Sequence, residues 1–294
     1  MDQTTLPTVK QSTDLLLKQY AAKPFLKWAG GKQQLLGQFQ SLLPVRFQRY
    51  VEPFVGGGAV FFHLWNSGKT SSEALLFDIN PELVNAYKVV RDKPNELIEI
   101  LSSHQLNHSY EYYYRVRNLD RNGTHLNEIE RAARILYLNR TCFNGLYRVN
   151  SKGQFNVPMG SYKNPKILDK KLLQADSQAL QNVSVEIRDF RSIVNIAQEG
   201  DFFYFDPPYD PVSKTASFTS YTSDSFSDED QRQLANIFRI LTEKRCLCML
   251  SNSYTSFILD LYRDFRIEIV LANRAINSDP QKRGNIQEVV VLNY

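Results

Sequence analysis

The segment Phe202-Phe203-Tyr204-Phe205, closed by Asp206-Pro207-Pro208-Tyr209, constrains the fold of this chain more than any other stretch. Four consecutive aromatic residues with no polar alternation fit a strand covered on both faces, as in a parallel sheet between helices. Neither proline can donate to a sheet ladder, so the strand must stop at Asp206. Proline also fixes its own φ and pushes the preceding residue toward extended geometry. The strand therefore ends in a stiff tip that carries a carboxylate, two carbonyls and an aromatic ring.

Two strand-to-helix units precede that tip. Tyr50-Val51 leads through Glu52-Pro53-Phe54 into the triple glycine Gly56-Gly57-Gly58 and an apolar helix, and Leu75-Leu76-Phe77 ends in Asp78 before a helix from Pro81. Two such units within about 40 residues predict a parallel, doubly wound α/β sheet. Residues 91–140 break the rhythm with polar, helix-like segments, and "CFNGLYRVNSKGQFNVPMGSYKNP" then reads as a hairpin or loop. The expected layout is an arm over 1–22, a catalytic domain over 23–90 and 166–294, and an inserted, mostly helical domain over 91–165. The α/β rhythm returns with "VSVEIRDF" and the proline tip, and a capping box at Ser227–Asp230 starts a helix with Leu234, Ile237, Phe238 and Leu241 on its apolar face. "RCLCMLSNS" is another strand, and "FRIEIVLA" and "IQEVVVLNY" are expected to close the sheet as an antiparallel pair.

Composition narrows the class. The 294 residues carry a net charge of +4 with a pI near 8.8, mildly basic and compatible with a polyanionic partner. Cys142, Cys246 and Cys248 form neither a disulfide framework nor a zinc pattern, and Cys246 and Cys248 read as small core residues. His63, His104, His108 and His125 are scattered without ligand spacing, so no metal is expected. No stretch reaches the length of a membrane span and the N-terminus lacks a signal-peptide pattern, which points to a cytoplasmic location.

The chemistry-bearing positions sit at strand tips. Glycines at 56–58 let a ligand approach the backbone and leave helix N-terminal N–H groups free, although a tight turn alone also explains them. An acid at the tip of the next strand, Asp78, is where doubly wound sheets hold ribose hydroxyls. Together they suggest an adenosine-containing cofactor. Asp206 would project beside it. The exocyclic amine of a nucleobase is a poor nucleophile because its lone pair is delocalised into the ring. Acceptance of its N–H hydrogens by the Asp206 carboxylate and the Pro207 carbonyl would favour a pyramidal nitrogen, with Tyr209 stacked on the base.

"DPPY" at 206–209, "EPFVGGG" at 52–58 and "FLKWAGGK" at 25–32, in this chain order with an insertion between them, resemble the signatures of Dam-like and DpnII-type DNA adenine-N6 methyltransferases of the α group. The resemblance runs from Lys23 to Tyr294. It implies a Rossmann-like methyltransferase sheet, S-adenosylmethionine as methyl donor and double-stranded DNA as partner, while a monomer is the default for a non-palindromic active site that treats one strand per visit.

The resemblance also assigns residues. Trp28, Ala29, Gly30 and Lys32 would bind the donor, as would Glu52, Pro53, Phe54, Gly56 and Gly57; Asp78 would hold its ribose, and Asp189 and Phe190 its adenine. Asp206, Pro207, Pro208 and Tyr209 would form the catalytic pocket, with Asp206 also facing the donor. Lys27 matches a lysine that touches the first guanine of the target. In the hairpin, Arg148 would read a guanine edge, Leu146 and Pro158 would pack on a thymine methyl, Asn144, Tyr162 and Lys163 would hold bases or phosphates, and Phe143 would fill the gap left by a flipped base. The hairpin similarity makes GATC the expected target.

Adenine N6 is hidden by pairing, so the base must leave the duplex. The Ser- and Thr-rich "DPVSKTASFTSYTSDSF" after the tip has the composition of a lid over it, or of a plain surface loop. Arg131 and Arg134 suit phosphate contacts or a solvated helix face equally. Rival readings are methylation of cytosine N4, RNA or protein glutamine, and a DNA-binding protein without activity. Asp206 favours adenine over the first group, because those enzymes more often carry Ser or Asn there, and intact motifs argue against the last.

Overall fold

A computed structural model describes residues 20–70, 73–121, 123–211, 226–273 and 285–294. Almost all of the expected arm, and most of the segment expected as a lid, lie outside these residues.

A 3-10 turn, Lys32–Leu35, runs into the short helix α1 (Leu36–Phe39), and β1 (Tyr50–Glu52) follows. Next come α2 (Ala59–Asn66), β2 (Ala74–Asp78) and α3 (Pro81–Asp92). Asn80 caps α3 by accepting from Glu82 N and Leu83 N, and Pro81 at its first position needs no partner for a missing N–H. The helices α4 (Pro94–Leu106), α5 (Tyr110–Arg117) and α6 (Glu128–Thr141) form the inserted segment, and α7 (Lys170–Leu180) returns to the sheet at β3 (Val183–Ile187). Then come a 3-10 turn at Phe190–Asn195, β4 (Phe202–Phe205), α8 (Asp228–Glu243), β5 (Leu247–Ser253), α9 (Ser256–Leu261), β6 (Arg266–Asn273) and β7 (Asn285–Leu292). The capping box at Ser227 is formed, with Asp230 reaching back to the Ser227 N–H.

The strand order is β3-β2-β1-β4-β5-β7-β6. Strands β1 to β5 run parallel, and β7 lies antiparallel between β5 and β6. The order reverses between β1 and β4, which places the switch-point crevice beyond Glu52 and Phe205. Alternation along β4 fills both layers: Phe202 and Tyr204 join one apolar cluster, Phe203 and Phe205 the other. The first cluster packs under α2, α3 and α7 and continues without a break into Tyr113, Ala132, Leu136 and Tyr137 of the inserted helices. The second packs under the Phe190 turn, α8 and α9. Cys246 and Cys248 are buried in it.

The hairpin of the insertion is held by two antiparallel bridges, Cys142↔Met159 and Val149↔Phe155, rather than by continuous strands. Arg134 is largely buried and pairs with Asp120 at 2.7 Å, whereas Arg131 pairs with Glu82 at 2.5 Å and stays partly exposed. Among the described residues no helix is long and apolar enough to cross a membrane.

Candidate active site

The tip after β4 is gripped by a lysine from a distant motif. Lys32 Nζ lies 2.7 Å from Asp206 Oδ1, 2.5 Å from the Gly30 carbonyl oxygen and 4.6 Å from the centroid of the Tyr209 ring. Lys32 is 4% exposed, so its charge is spent inside the protein. Burial raises the Asp206 carboxyl above its ordinary range, the Lys32 ammonium opposes that shift, and Glu288 adds to it. Tyr209 is fixed at its far end, where its hydroxyl donates to Glu288 Oε2 at 2.7 Å.

The glycine turn forms the neighbouring wall. Gly56 has φ +46°, and a Cβ there would lie 2.8 Å from Trp28 Cδ1; Gly58 has φ +68°, and its Cβ would meet the Tyr87 hydroxyl at 2.6 Å. Trp28 stacks on Tyr147 of the inserted segment with ring centroids 5.4 Å apart. Asp78 Oδ2 accepts the Gly56 N–H at 3.2 Å, and its Oδ1 accepts the Asn80 N–H at 2.9 Å. Burial pushes the Asp78 carboxyl up to about 6 despite those hydrogen bonds. Glu52 is buried and accepts the Tyr50 hydroxyl at 2.9 Å; burial and the nearby Asp206 charge hold its carboxyl well above the usual range. Pro53 is buried behind it, and Phe54 meets Phe190 at 5.4 Å. Asp189 caps the turn that carries Phe190 and pairs with Arg191 at 2.8 Å. Ala29 and Gly30 are exposed beside this wall.

The expected DNA-reading residues cluster on a second face joined to the first through Lys27 and Trp28. Asn139, buried in α6, accepts the Lys27 N–H at 2.8 Å and donates to the Lys27 carbonyl at 2.8 Å and the Gly145 carbonyl at 2.9 Å. Gly145 has φ +67°, and a Cβ there would fall 2.5 Å from Lys27 Cδ, so the turn needs glycine. Asn144 beside it also adopts a left-handed conformation, with φ +55°. The Lys27 ammonium sits 5.0 Å over the ring of Tyr162. Phe143 is half exposed, and its N–H donates to the Pro158 carbonyl at 2.9 Å. Arg148 is exposed, and its Nε donates to Asn156 Oδ1 at 2.7 Å. Lys163 and Pro158 are exposed as well, whereas Leu146 is half buried against the core.

All of these positions therefore border one of two joined faces. Asp189 is the outlying one, since its carboxylate serves a cap and an ion pair. Sequence reasoning misses the residues that hold the tip from behind: Gln231, Asn252, Ser253, Thr255 and Glu288. It also misses Asn139 and Tyr147, which join the faces. The signals were polar residues at apolar positions, namely Glu288 in "IQEVVVL", Gln231 on the inward stripe of α8 and Asn252 in an otherwise apolar strand.

Chemically, a carboxylate beside the face of a fixed aromatic ring can accept N–H hydrogens from a planar amine stacked on that ring. Residues 28–276 match the family of D12 class N6 adenine-specific DNA methyltransferases. The Type II methyltransferase M1.LlaDCHI of Lactococcus lactis subsp. cremoris is 49% identical over 276 residues, covering 92% of this chain and 95% of that protein. The Type II methyltransferase M.MjaIII of Methanocaldococcus jannaschii is 45% identical over 289 residues, with 92% and 99% covered. A DNA adenine methylase of Haemophilus influenzae is 34% identical over 288 residues, with 96% of each covered. The chain belongs to the D12 class of N6 adenine-specific DNA methyltransferases.

Proposed function

We propose that this DNA adenine methyltransferase moves the methyl of S-adenosylmethionine to N6 of an adenine turned out of duplex DNA, within the sequence GATC. The observation that carries the reading is the seat of Lys32 Nζ, an N–H donor 2.7 Å from Asp206 and 4.6 Å above the Tyr209 ring. Lys32 takes Oδ1, and the adenine amine takes the other carboxylate oxygen with the same ring under its face.

The residues present fit the donor. Asp78 keeps lone pairs beyond the two used on backbone N–H groups, so ribose hydroxyls can donate to it. Gly56 leaves its wall without side-chain bulk, and the apolar surface of Phe54 and Phe190 suits an adenine ring. When bound, S-adenosylmethionine supplies an electrophilic methyl on a sulfonium. The chain's own part is to hold the target amine: Asp206 and the Pro207 carbonyl accept its two hydrogens, Tyr209 packs on the base, and the prolines keep the acceptors still. Transfer would break the donor's S–CH3 bond as the C–N bond forms, leaving a neutral thioether, and the amine would give up one proton to solvent.

In this reading residues 91–165 are the target-recognition unit, with Arg148 on a guanine edge, Lys27 and Tyr162 at a neighbouring base and Phe143 in the stack the adenine leaves. The enzyme works without a metal and as a monomer that treats one strand per visit. The test is transfer of labelled methyl to GATC duplexes and to duplexes with each base altered in turn. Label in GATC alone supports reaction, donor and target together, and label spread over the altered duplexes discards the hairpin assignment.

A further inference from the structure

We propose that Gln231 and Asn252 form a buried amide pair that positions the proline tip for methyl transfer. The inference rests on the reading of Asp206–Tyr209 as the amine-binding tip. Two consecutive prolines leave that tip without backbone N–H groups at 207 and 208, so the sheet ladder cannot hold it. The amide pair supplies the missing anchors. Gln231 Nε2 donates to the Pro208 carbonyl at 3.0 Å, and Asn252 Oδ1 accepts the Asp210 N–H at 3.1 Å. The two amides are locked together, with Asn252 Nδ2 donating to Gln231 Oε1 at 3.1 Å. Ser253 Oγ completes the hold by donating to the Asp210 carbonyl at 2.6 Å.

Location argues against a packing role. Gln231 is 1% exposed and lies on the same inward stripe of α8 as Leu234, Ala235 and Phe238, where an apolar side chain would be the cheaper occupant. Asn252 is fully buried at the end of β5, beside the strand that carries the tip. Burial of two amides is tolerated only when their polar atoms are paired, and both pairings reach the segment just after Pro207. The contacts fall on either side of Tyr209 and bypass the Pro207 carbonyl, the second acceptor for the amine. Gln231 and Asn252 thus set the tip's orientation without competing for its acceptors.

The experiment compares steady-state kinetics of Gln231→Glu and Gln231→Met with the native enzyme and with Asp206→Ala. The variants are compared from about pH 6 to about pH 10, because burial raises the Glu carboxyl, and once it ionises it has no hydrogen for the Pro208 carbonyl. Turnover is expected to fall roughly 10- to 100-fold, the scale for a small misplacement at a reacting centre. KM for duplex and for S-adenosylmethionine stays within about threefold, because binding surfaces are untouched. As pH falls and the Glu carboxyl takes a proton, its O–H can donate again, so Gln231→Glu recovers turnover relative to the native enzyme. Gln231→Met shows the same loss without recovery. A merely structural role would move stability and both KM values together with turnover, or leave turnover native in folded Gln231→Met, and either result overturns the proposal. Should Gln231→Glu fail to fold, Gln231→Met decides through its split between turnover and KM. Asp206→Ala separates the two readings: if it retains turnover, the tip assignment itself is wrong.

Discussion

Lys32 and Asp206, distant in sequence, meet as an ion pair with Nζ and Oδ1 2.7 Å apart, and the same ammonium lies over Tyr209. Burial raises the Asp206 carboxyl, and the lysine is the positive charge that opposes that rise beside the glutamate that anchors Tyr209.

Removal of that charge as Lys32→Met leaves burial and Glu288 unopposed, so the Asp206 carboxyl rises further. The ionised form is the one that accepts amine hydrogens. Turnover should therefore drop roughly tenfold or more at neutral pH, and the acid limb of the pH profile should move to higher pH. A pH–rate profile with its acid limb in the native position would remove Lys32 from this role.

Asp78 titrates near 6 because it is buried. As its folded value lies above the ordinary 3.8, its favourable contribution to folding is complete below about pH 3.8 and is lost as pH rises through about 6. Binding has the opposite dependence, since ribose hydroxyls donate best to the ionised carboxylate. Calorimetric titration with S-adenosylhomocysteine should show affinity falling as pH drops below about 6 in the native protein. The same titration of Asp78→Asn should be weak and flat across that range.

Arg148 is exposed on the hairpin, and in the proposed reading its guanidinium meets a guanine edge. Arg148→Ala should lose about 1–3 kcal/mol of discrimination at one guanine, the worth of a bidentate contact. Competition between GATC and its single-base variants measures this, and unchanged ratios would rule out a reading role.

Asn139→Leu should destabilise the fold on the order of 3 kcal/mol, since the Lys27 N–H and the Lys27 and Gly145 carbonyls all lose their partner. Chemical denaturation checks the stability. Duplex binding should weaken along with it, because the Gly145 turn carries the hairpin.

Much of this was legible in the sequence because local rules decided it. The aromatic run 202–205, the Pro81 start, the Ser227 capping box and the antiparallel closing pair all follow from periodicity, capping and turn chemistry within a few residues. The strand tips at Glu52, Asp78 and Asp206 follow from topology, because parallel strands send their C-terminal ends to one crevice. What stayed hidden depends on contacts across the fold. Lys32 reads as a cofactor residue in the sequence, and its hold on Asp206 emerges only when the first motif folds over the fourth strand. Glu288 and Asn252 lie in apolar strands, where no local pattern tells a functional acid or amide from a satisfied core residue. Arg131 and Arg134 are ambiguous for the same reason, as their partners Glu82 and Asp120 come from other elements.

In the proposed reaction the tip at Asp206 holds the adenine amine that receives the methyl at N6. Nucleoside analysis of a GATC duplex after incubation with S-adenosylmethionine tests it most directly, with the native enzyme and Asp206→Ala side by side. N6-methyladenine is expected from the native enzyme and none from Asp206→Ala, which should still bind the duplex. Methyl on another base, or N6-methyladenine formed by Asp206→Ala at the native rate, would contradict it.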